Sequence, residues 1–375
     1  MPTISYLTTV EFDFGAIRLL ASELERLNVK RPLIVTDAGI EASGLLHRLR
    51  AELKPPLAYA VFAETPANPT EAAVGAALRR YREAGADGVI GFGGGSSIDL
   101  AKAVALAATH PAPLAQYAAV AGGVAKITAA VAPVIAIPTT AGTGSEVGRG
   151  AIIVLEDGRK LGFISPHMLP KAAICDPELT LGLPPSLTAA TGMDAIAHCI
   201  ETFLSPAVNP PAEAIALDGL ARGAAHIERA TADGSDREAR WNMMMAAMEG
   251  ALAFQKGLGA VHSLSHPLGA LPQKLHHGTL NAVLLPEVIR FNASHVGEKL
   301  ERIASAMRLP VGADVAAAIA ALNGRLGLPR GLGAMGVPRD VLPAIAEAAT
   351  KDHCHATNPR PASVANYLGI LQASY

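Results

Sequence analysis

The chain has 375 residues, half of them hydrophobic and 17% charged, with a formal net charge of −2. This length exceeds one ordinary hydrophobic core and predicts two domains, and the apolar fraction excludes a disordered chain. Lys and Arg form no block, so the composition does not favour nucleic acid or an anionic membrane as a partner. The most apolar run, 120–138, is interrupted by glycine, lysine and proline and is not expected to span a bilayer.

Short apolar runs alternate with helical patterns in the first half of the chain. Strands are predicted at 31–36, 58–64, 88–95 and 133–140, with helices at 69–87 and 97–109. Strands that alternate with helices are typical of a parallel, Rossmann-like sheet covered on both faces. We therefore expect residues 1–182 to form an α/β domain.

The pattern becomes helical after Pro184 and Pro185, which interrupt the chain. Helices are predicted at 188–204, 211–229, 236–256, 279–293, 297–307, 312–326 and 340–349, and 259–270 also has a helical face. We expect residues 183–375 to form an all-α domain.

The N-terminus and the cysteines predict a cytoplasmic protein. The opening stretch MPTISYLTTVEFDF has no basic region and carries two acidic residues, which disfavours a secretory signal. Cys175, Cys199 and Cys354 are odd in number and widely spaced, as expected of reduced thiols.

A glycine-rich turn, GFGGGSSID at 91–99, follows a predicted strand and opens a helix. Glycines allow close backbone approach to a phosphate, and the helix N-terminus supplies free N–H groups. The match to G-x-G-x-x-G is imperfect because Ser96 stands at the last position. A strand–helix turn without a ligand is the alternative interpretation.

A second polar loop, PTTAGTGSEVG at 138–148, follows another predicted strand. Loops at the ends of neighbouring parallel strands line the crevice where such sheets bind ligands. Hydroxyls that bond to local backbone are the alternative. Asp37 ends the 31–36 strand, where a carboxylate favours NAD over NADP, and an ordinary turn aspartate is the alternative. Asn68 is interpreted from the sequence alone as a turn residue, with a nucleotide contact as the alternative.

Acidic and imidazole groups recur in the helical half. In GMDAIAHCIE, Asp194 and His198 are four residues apart and share one helical face, whereas Cys199 is expected to point away. His262 and His266 repeat the spacing in GAVHSLSHPLGA.

The segment KLHHGTLNA adds His276 and His277 before another predicted helix. One aspartate and three histidines suit Zn or Fe. A buried His198 that pairs with Asp194 for structural reasons alone is the alternative.

Together these motifs resemble the iron-containing (group III) alcohol dehydrogenases, in the superfamily that includes glycerol dehydrogenase and dehydroquinate synthase. The resemblance covers nearly the whole chain. It rests on GGGSSIDLAKA (93–103), PTTAGTGSEV (138–147), GMDAIAHCIE (192–201), GAVHSLSHPLG (259–269), HGTLNAVLLP (277–286) and NPRP (358–361). It implies a dehydroquinate synthase-like fold, with a dinucleotide in the α/β domain and a metal in the helical domain.

The resemblance also implies roles for individual residues. The metal ligands, for Fe²⁺ or Zn²⁺, would be Asp194, His198, His262 and His277. His276 competes for the fourth position because it precedes His277 and the spacing from His262 is one residue longer than usual. His266 matches a non-ligand histidine near the nicotinamide and substrate, where it relays a proton or orients a ligand. The implied cofactor contacts are Asp37, Asn68, Gly94, Gly95, Ser96, Ser97, Asp99, Thr139, Thr140, Thr143 and Lys160.

The implied activity is hydride transfer between NAD(H), with NADP less favoured, and a small alcohol, aldehyde or ketone, in a homodimer. Maleylacetate reductases are close relatives that tend to lose the Asp/His set, which this chain retains. A dehydroquinate synthase-like lyase needs several basic residues for its charged substrate, and few lie near the His motifs here. That scarcity favours a small neutral or weakly polar substrate. A non-catalytic binding protein on the same fold is a third possibility.

Overall fold

The structure is a computed structural model that describes residues 8–53, 57–273 and 275–375. Its contacts divide the described chain into two units. One comprises 8–140 and 145–182, and the other comprises 141–144 and 183–375.

The first unit is an α/β structure. Its strands are β1 (Thr9–Phe12), β2 (Pro32–Val35), β3 (Ala60–Phe62), β4 (Gly88–Gly93), β5 (Val134–Pro138), β6 (Gly150–Val154), β7 (Lys160–Ile164) and β8 (Ala172–Cys175). Its helices are α1 (Leu20–Arg26), α2 (Ala38–Ala42), α3 (Leu45–Glu52), α4 (Glu71–Glu83) and α5 (Gly95–Thr109).

Six strands form a parallel sheet in the order β1-β8-β5-β4-β2-β3, while β6 and β7 form an antiparallel pair. Side chains of β2 alternate between two cores: Leu33 and Val35 pack with α4 and α5, and Ile34 packs with α1 and α3. Both faces of the sheet are therefore buried, which explains why its strands are continuous apolar runs.

Four of these strands, β2 to β5, confirm the strands predicted from sequence. The prediction omitted β8, whose sequence AAIC is short and half alanine, and β1, whose four residues include a charge. It also omitted the β6–β7 hairpin, although Asp157–Gly158 is a common hairpin-turn signal and Gly158 has a φ of 82°.

Lys102 joins helix α5 to the polar loop that precedes β6. Its fully buried Nζ donates to Oγ of Ser145 at 2.9 Å and to the carbonyl oxygens of Ser145, Gly148 and Gly150 at 2.5, 2.8 and 2.8 Å. Burial lowers the pKa of Lys102 to about 8 despite the nearby carboxylates. The ammonium therefore holds the loop in one conformation, because these buried oxygens have no contact with water and need a donor from the protein.

The second unit is helical. Its helices are α6 (Pro185–Leu204), α7 (Pro210–Ala232), α8 (Arg237–Leu252), α9 (Ala260–Gly269), α10 (His277–Asn292), α11 (Lys299–Ala306), α12 (Val315–Arg325), α13 (Leu342–Ala349) and α14 (Val364–Ala373). Helix α6 is buried from Thr188 to Leu204 and contacts α7, α8 and α10. A helix that is buried on all sides belongs in the middle of a bundle, which is where α6 lies. No helix among the described residues has the length and apolar character needed to cross a bilayer.

Segment 141–144 departs from the single predicted boundary after residue 182, because it packs with the helical unit. A Cβ on Gly142 would lie 2.7 Å from Cβ of Thr191 in α6, and one on Gly144 would lie 2.2 Å from Cβ of Ala251 in α8. Only glycine permits this approach, and a boundary drawn along the sequence does not reveal it.

We expect the substitution Lys102→Met to lower the free energy of unfolding by about 3 kcal/mol, because it leaves buried acceptors without a donor. Urea unfolding of the variant measures this change. The exposed Lys126→Met serves as the control and should leave the midpoint unchanged. Equal midpoints for the two variants would contradict the role given to Lys102.

Candidate functional site

The glycine turn follows the carboxyl end of β4. The carboxyl ends of β2 and β5 lie beside it, because the three strands are parallel neighbours. From β2 the chain passes outward to β3 and then returns to β4 on the other side of β2. This reversal of strand order is where open α/β sheets bind ligands.

Asp37 and Ser97 meet at this reversal point. Oδ1 of Asp37 accepts from the backbone N of Ile40 at 3.1 Å and caps α2, while Oδ2 accepts from Oγ of Ser97 at 3.1 Å. Gly93 has a φ of 148°, and a Cβ there would lie 2.6 Å from Oγ of Ser97. Glycine is therefore required where β4 turns into α5.

The neighbouring predicted cofactor residues lie on the same loops. Gly94 is the N-cap of α5, and Gly95, Ser96 and Ser97 form its first turn. The backbone N of Thr139 donates to the carbonyl of Gly93 at 3.0 Å, and Thr140 lies against Gly94.

Two further predicted cofactor residues bind each other, since Nζ of Lys160 donates to Oδ1 of Asn68 at 2.8 Å. Asp99 has both oxygens engaged within the protein, by Oγ of Ser145 at 2.5 Å and the backbone N of Ile152 at 2.9 Å. Thr143 lies in segment 141–144, which belongs to the helical unit. The structure therefore gathers most of the predicted set but gives Asp99 an internal role.

Four predicted metal ligands converge in the helical unit around one carboxylate oxygen. Oδ1 of Asp194 lies 3.5 Å from Nε2 of His198, 3.9 Å from Nε2 of His262 and 3.8 Å from Nε2 of His277. Two ligands about 2.1 Å from one tetrahedral ion are about 3.4 Å apart, so the observed distances fit a shared ion.

Local structure explains this convergence. Asp194 and His198 are one turn apart on α6, whereas His277 begins α10. A Cβ on Gly278 would lie 2.2 Å from the carbonyl oxygen of Ala190, so glycine lets the start of α10 approach α6 closely. His276 is exposed and caps α10, with its Nδ1 3.4 Å from the backbone N of Thr279. The geometry thus places His277, rather than His276, beside Asp194.

The imidazoles are held in the form that binds metals. Burial lowers the pKa of His198 to about 4 and that of His262 to about 3, which outweighs the attraction of Asp194. Both rings are therefore neutral at neutral pH, and neutral imidazole is the metal-ligating form. Cys199 faces away, with its Sγ 3.8 Å from the carbonyl oxygen of Ala246 in α8, as predicted.

The buried amide of Asn281 shows where these acceptors point. Its Nδ2 donates to Oδ1 of Asp194 at 2.6 Å and lies 3.1 Å from Nε2 of both His262 and His277. Three acceptor atoms thus surround one electropositive group, which is the arrangement that a bound cation requires.

His266 lies beside this cluster without joining it. Its Nδ1 is 2.8 Å from Oδ2 of Asp352. Its ring stacks on those of His277 and His353, with ring centroids 5.6 and 5.4 Å apart. Burial acts to raise the pKa of Asp352, but His266 and His353 outweigh it and hold that pKa well below the usual value. His266 is therefore oriented by a carboxylate that stays ionised.

Comparison with known proteins agrees with this geometry. The chain matches the family model "Iron-containing alcohol dehydrogenase" over residues 8–177 and "Fe-containing alcohol dehydrogenase family, C-terminal" over 188–375. The chain belongs to the iron-containing alcohol dehydrogenase family. The resemblance, the fold class and the oxidoreductase activity inferred from sequence are thereby confirmed.

Individual relatives cover all or nearly all of the chain. It is 60% identical to 4-hydroxybutyrate dehydrogenase of Cupriavidus necator, with 100% of both chains covered. It is 34% identical to NAD-dependent methanol dehydrogenase of Bacillus methanolicus, with 96% of both covered. A crystal structure of 1,3-propanediol oxidoreductase superposes with a TM-score of 0.91 at 34% identity, with 100% of both chains covered.

Sequence reasoning missed three polar residues beside the predicted groups. Asn281 lies one turn after His277, and Glu201 lies one turn after His198, so helical spacing was an available signal for both. Asp352 lies far from His266 in sequence, and no spacing rule links the two.

We expect Gly93→Ala to weaken NADH binding about tenfold, because the added Cβ collides with Ser97 and the backbone is strained at this φ. Titration of NADH fluorescence measures the affinity. Gly75→Ala in α4, where a Cβ would meet nothing within 4 Å, is the matched control and should bind NADH normally. Unchanged affinity in Gly93→Ala would contradict placement of the dinucleotide at this turn.

Proposed function

We propose that this family member is a metal-dependent, NAD-linked dehydrogenase that interconverts 4-hydroxybutyrate, or a closely similar ω-hydroxy carboxylate, with its aldehyde. The observation that carries the metal-dependent chemistry is the convergence of three imidazole Nε2 atoms on Oδ1 of Asp194. The substrate class is supported by the 60% identity to the 4-hydroxybutyrate dehydrogenase over its full length.

In this proposal, Asp194, His198, His262 and His277 hold the ion. A carboxylate with three neutral imidazoles accepts either Fe²⁺ or Zn²⁺, and we favour Fe²⁺ because the family is iron-containing. A divalent ion at this position supplies Lewis acidity that lowers the pKa of a substrate hydroxyl.

Two side chains of this protein, His266 and Asp352, are proposed to take up the hydroxyl proton of the alcohol. Bound NAD would supply the hydride acceptor for oxidation of the alcohol, and Nε2 of His266 would accept the hydroxyl proton. Asp352, bonded to Nδ1, fixes the orientation of that ring and stabilises its positive charge. A purely orienting role for His266 is the alternative, and it would leave the proton to solvent.

The proposed dinucleotide contacts lie on the loops around the reversal point of the sheet. Asp37 supports NAD over NADP, because its carboxylate would accept hydrogen bonds from ribose hydroxyls and would repel a 2′-phosphate. Gly94, Gly95, Ser96 and Ser97 offer the phosphate cradle, with Asn68, Thr139, Thr140, Thr143 and Lys160 as further contacts. Asp99 would act indirectly, through the loop that it bonds.

The proposed substrate carries a carboxylate, whereas the sequence alone favoured a neutral or weakly polar substrate because few basic residues lie near the His motifs. His353 offers a partner for that carboxylate, because its ring stacks on His266 and stays partly exposed. A neutral imidazole can donate one hydrogen bond, which suits a weakly held anion. The cytoplasmic location and the homodimer stay predictions.

We expect His277→Ala to lose bound metal and most dehydrogenase activity, because it removes one of four converging ligands. His276→Ala, one residue away and exposed, should keep both. Elemental analysis and initial rates measure the two properties. The ligand assignment is wrong if the two variants behave alike, or if His277→Ala keeps full metal and rate.

We expect 4-hydroxybutyrate with NAD to give a kcat/KM at least about tenfold above 1-butanol with NAD, since the loss of one good polar contact costs about that much. NADP should be the poorer cofactor with either substrate. Formation of NADH measures both preferences. A preference for 1-butanol would overturn the substrate proposal, and absence of net NADH with every alcohol would instead favour a lyase.

A further inference from the structure

Glu201 is a buried acid on the same helix as Asp194 and His198. It follows them by seven and three residues, and only 4% of it is exposed. Its Oε2 lies 2.5 Å from Nδ1 of His262, on the opposite side of that ring from the nitrogen that faces Asp194. We propose that Glu201 is a positioning residue that fixes the tautomer and orientation of His262 for metal binding, an inference that rests on the proposed metal site.

The carboxylate of Glu201 is itself held in place. Its other oxygen, Oε1, accepts from the backbone N of Val261 at 2.7 Å, in the first turn of α9. Oδ1 of Asn358 accepts from the neighbouring N of Ala260 at 3.0 Å. Both side chains thus satisfy N–H groups that a helix leaves free at its N-terminus. A Cβ on Gly259 would lie 2.9 Å from each of these oxygens, so glycine lets both reach the helix end.

The contacts on both sides of the His262 ring determine where its proton resides. Burial raises the pKa of Glu201 to about 7, so the charge of this carboxyl group does not decide the tautomer by itself. The amide of Asn281 decides it: its Nδ2 donates to Oδ1 of Asp194 at 2.6 Å and lies 3.1 Å from Nε2 of His262. A donor that faces Nε2 requires a lone pair there, so Nδ1 carries the hydrogen and Oε2 of Glu201 accepts it. Nε2 is the atom that faces Asp194, so this tautomer is the one able to bind a metal. Carboxylate–histidine–metal arrangements of this type are common in metalloproteins.

The same contacts also suit a merely structural role, in which Glu201 only caps α9. The substitution Glu201→Gln separates the two roles because glutamine has one acceptor oxygen and one donor nitrogen. If its oxygen accepts from Val261, its NH₂ faces Nδ1 of His262 and favours the proton on Nε2, which weakens metal binding. If the amide is reversed, the NH₂ opposes the N–H of Val261 and the side chain leaves its position.

The test compares wild type, Glu201→Gln and the control Glu213→Gln. Glu213 on α7 pairs with the buried Lys256 at 2.6 Å, so its substitution also removes a carboxylate from a buried partner. Affinity for Zn²⁺ is measured by competition with a chromophoric chelator, and thermal unfolding of the metal-free proteins reports folding. We expect Glu201→Gln to bind Zn²⁺ about 10- to 100-fold more weakly, and Glu213→Gln to bind as wild type.

The tautomer itself is read by ¹⁵N NMR of histidine-labelled, metal-free protein, with His262→Gln to assign the signal. Wild type should show Nδ1 protonated and Nε2 unprotonated. A wild-type ring protonated at Nε2, or a Glu201→Gln variant that binds Zn²⁺ as tightly as wild type, would overturn the inference. The wild-type spectrum decides even if the variant fails to fold. If wild type binds no Zn²⁺ but shows the expected tautomer, the proposed function fails and the inference about His262 stands.

Discussion

Burial of the Asp194 carboxylate in the central helix is the constraint on which the helical unit depends. Helix α6 has almost no exposed face, so Asp194 cannot be solvated by turning outward. A buried carboxylate is costly unless donors or a cation surround it. The partners of Asp194 come from three helices: His198 on α6 itself, His262 on α9, and His277 and Asn281 on α10. The positions of α9 and α10 beside α6 are therefore specified in part by polar side chains.

Close approach of backbones is what lets such short polar side chains meet. At Gly278 and Gly142, a β-carbon would lie within 3 Å of α6 atoms, so neither position tolerates a larger residue without movement. The α/β unit uses a different device, since the ammonium of Lys102 gathers carbonyl oxygens from the loop before β6. In both units a buried polar centre, rather than the hydrophobic core alone, determines the loop conformation near the site.

The sequence predicted those features whose signal is local or carried by a family motif. Strands β2 to β5 were recognisable because both sheet faces are buried, and Asp194 and His198 because their spacing matches one helical turn. The alanine-rich β8 has a weak propensity signal, and Asp352 meets His266 only through tertiary packing. The doublet His276–His277 was ambiguous because spacing alone allows either ring. The structure distinguishes the two rings by position: at the start of α10, His276 caps the helix and His277 lies beside Asp194.

The assignment of 141–144 to the helical unit has a consequence for dissection of the protein. The backbone passes between the units after residues 140, 144 and 182, so neither unit is one continuous stretch of sequence. A fragment that begins at residue 183 would lack the glycine loop that covers Thr191 and Ala251. It would also lack the backbone of Gly142 that neighbours His198. Domain exchange between relatives at the apparent linker would therefore separate His198, one of the proposed metal ligands, from part of its own surroundings. A working chimera must carry residues 141–144 together with the helical half.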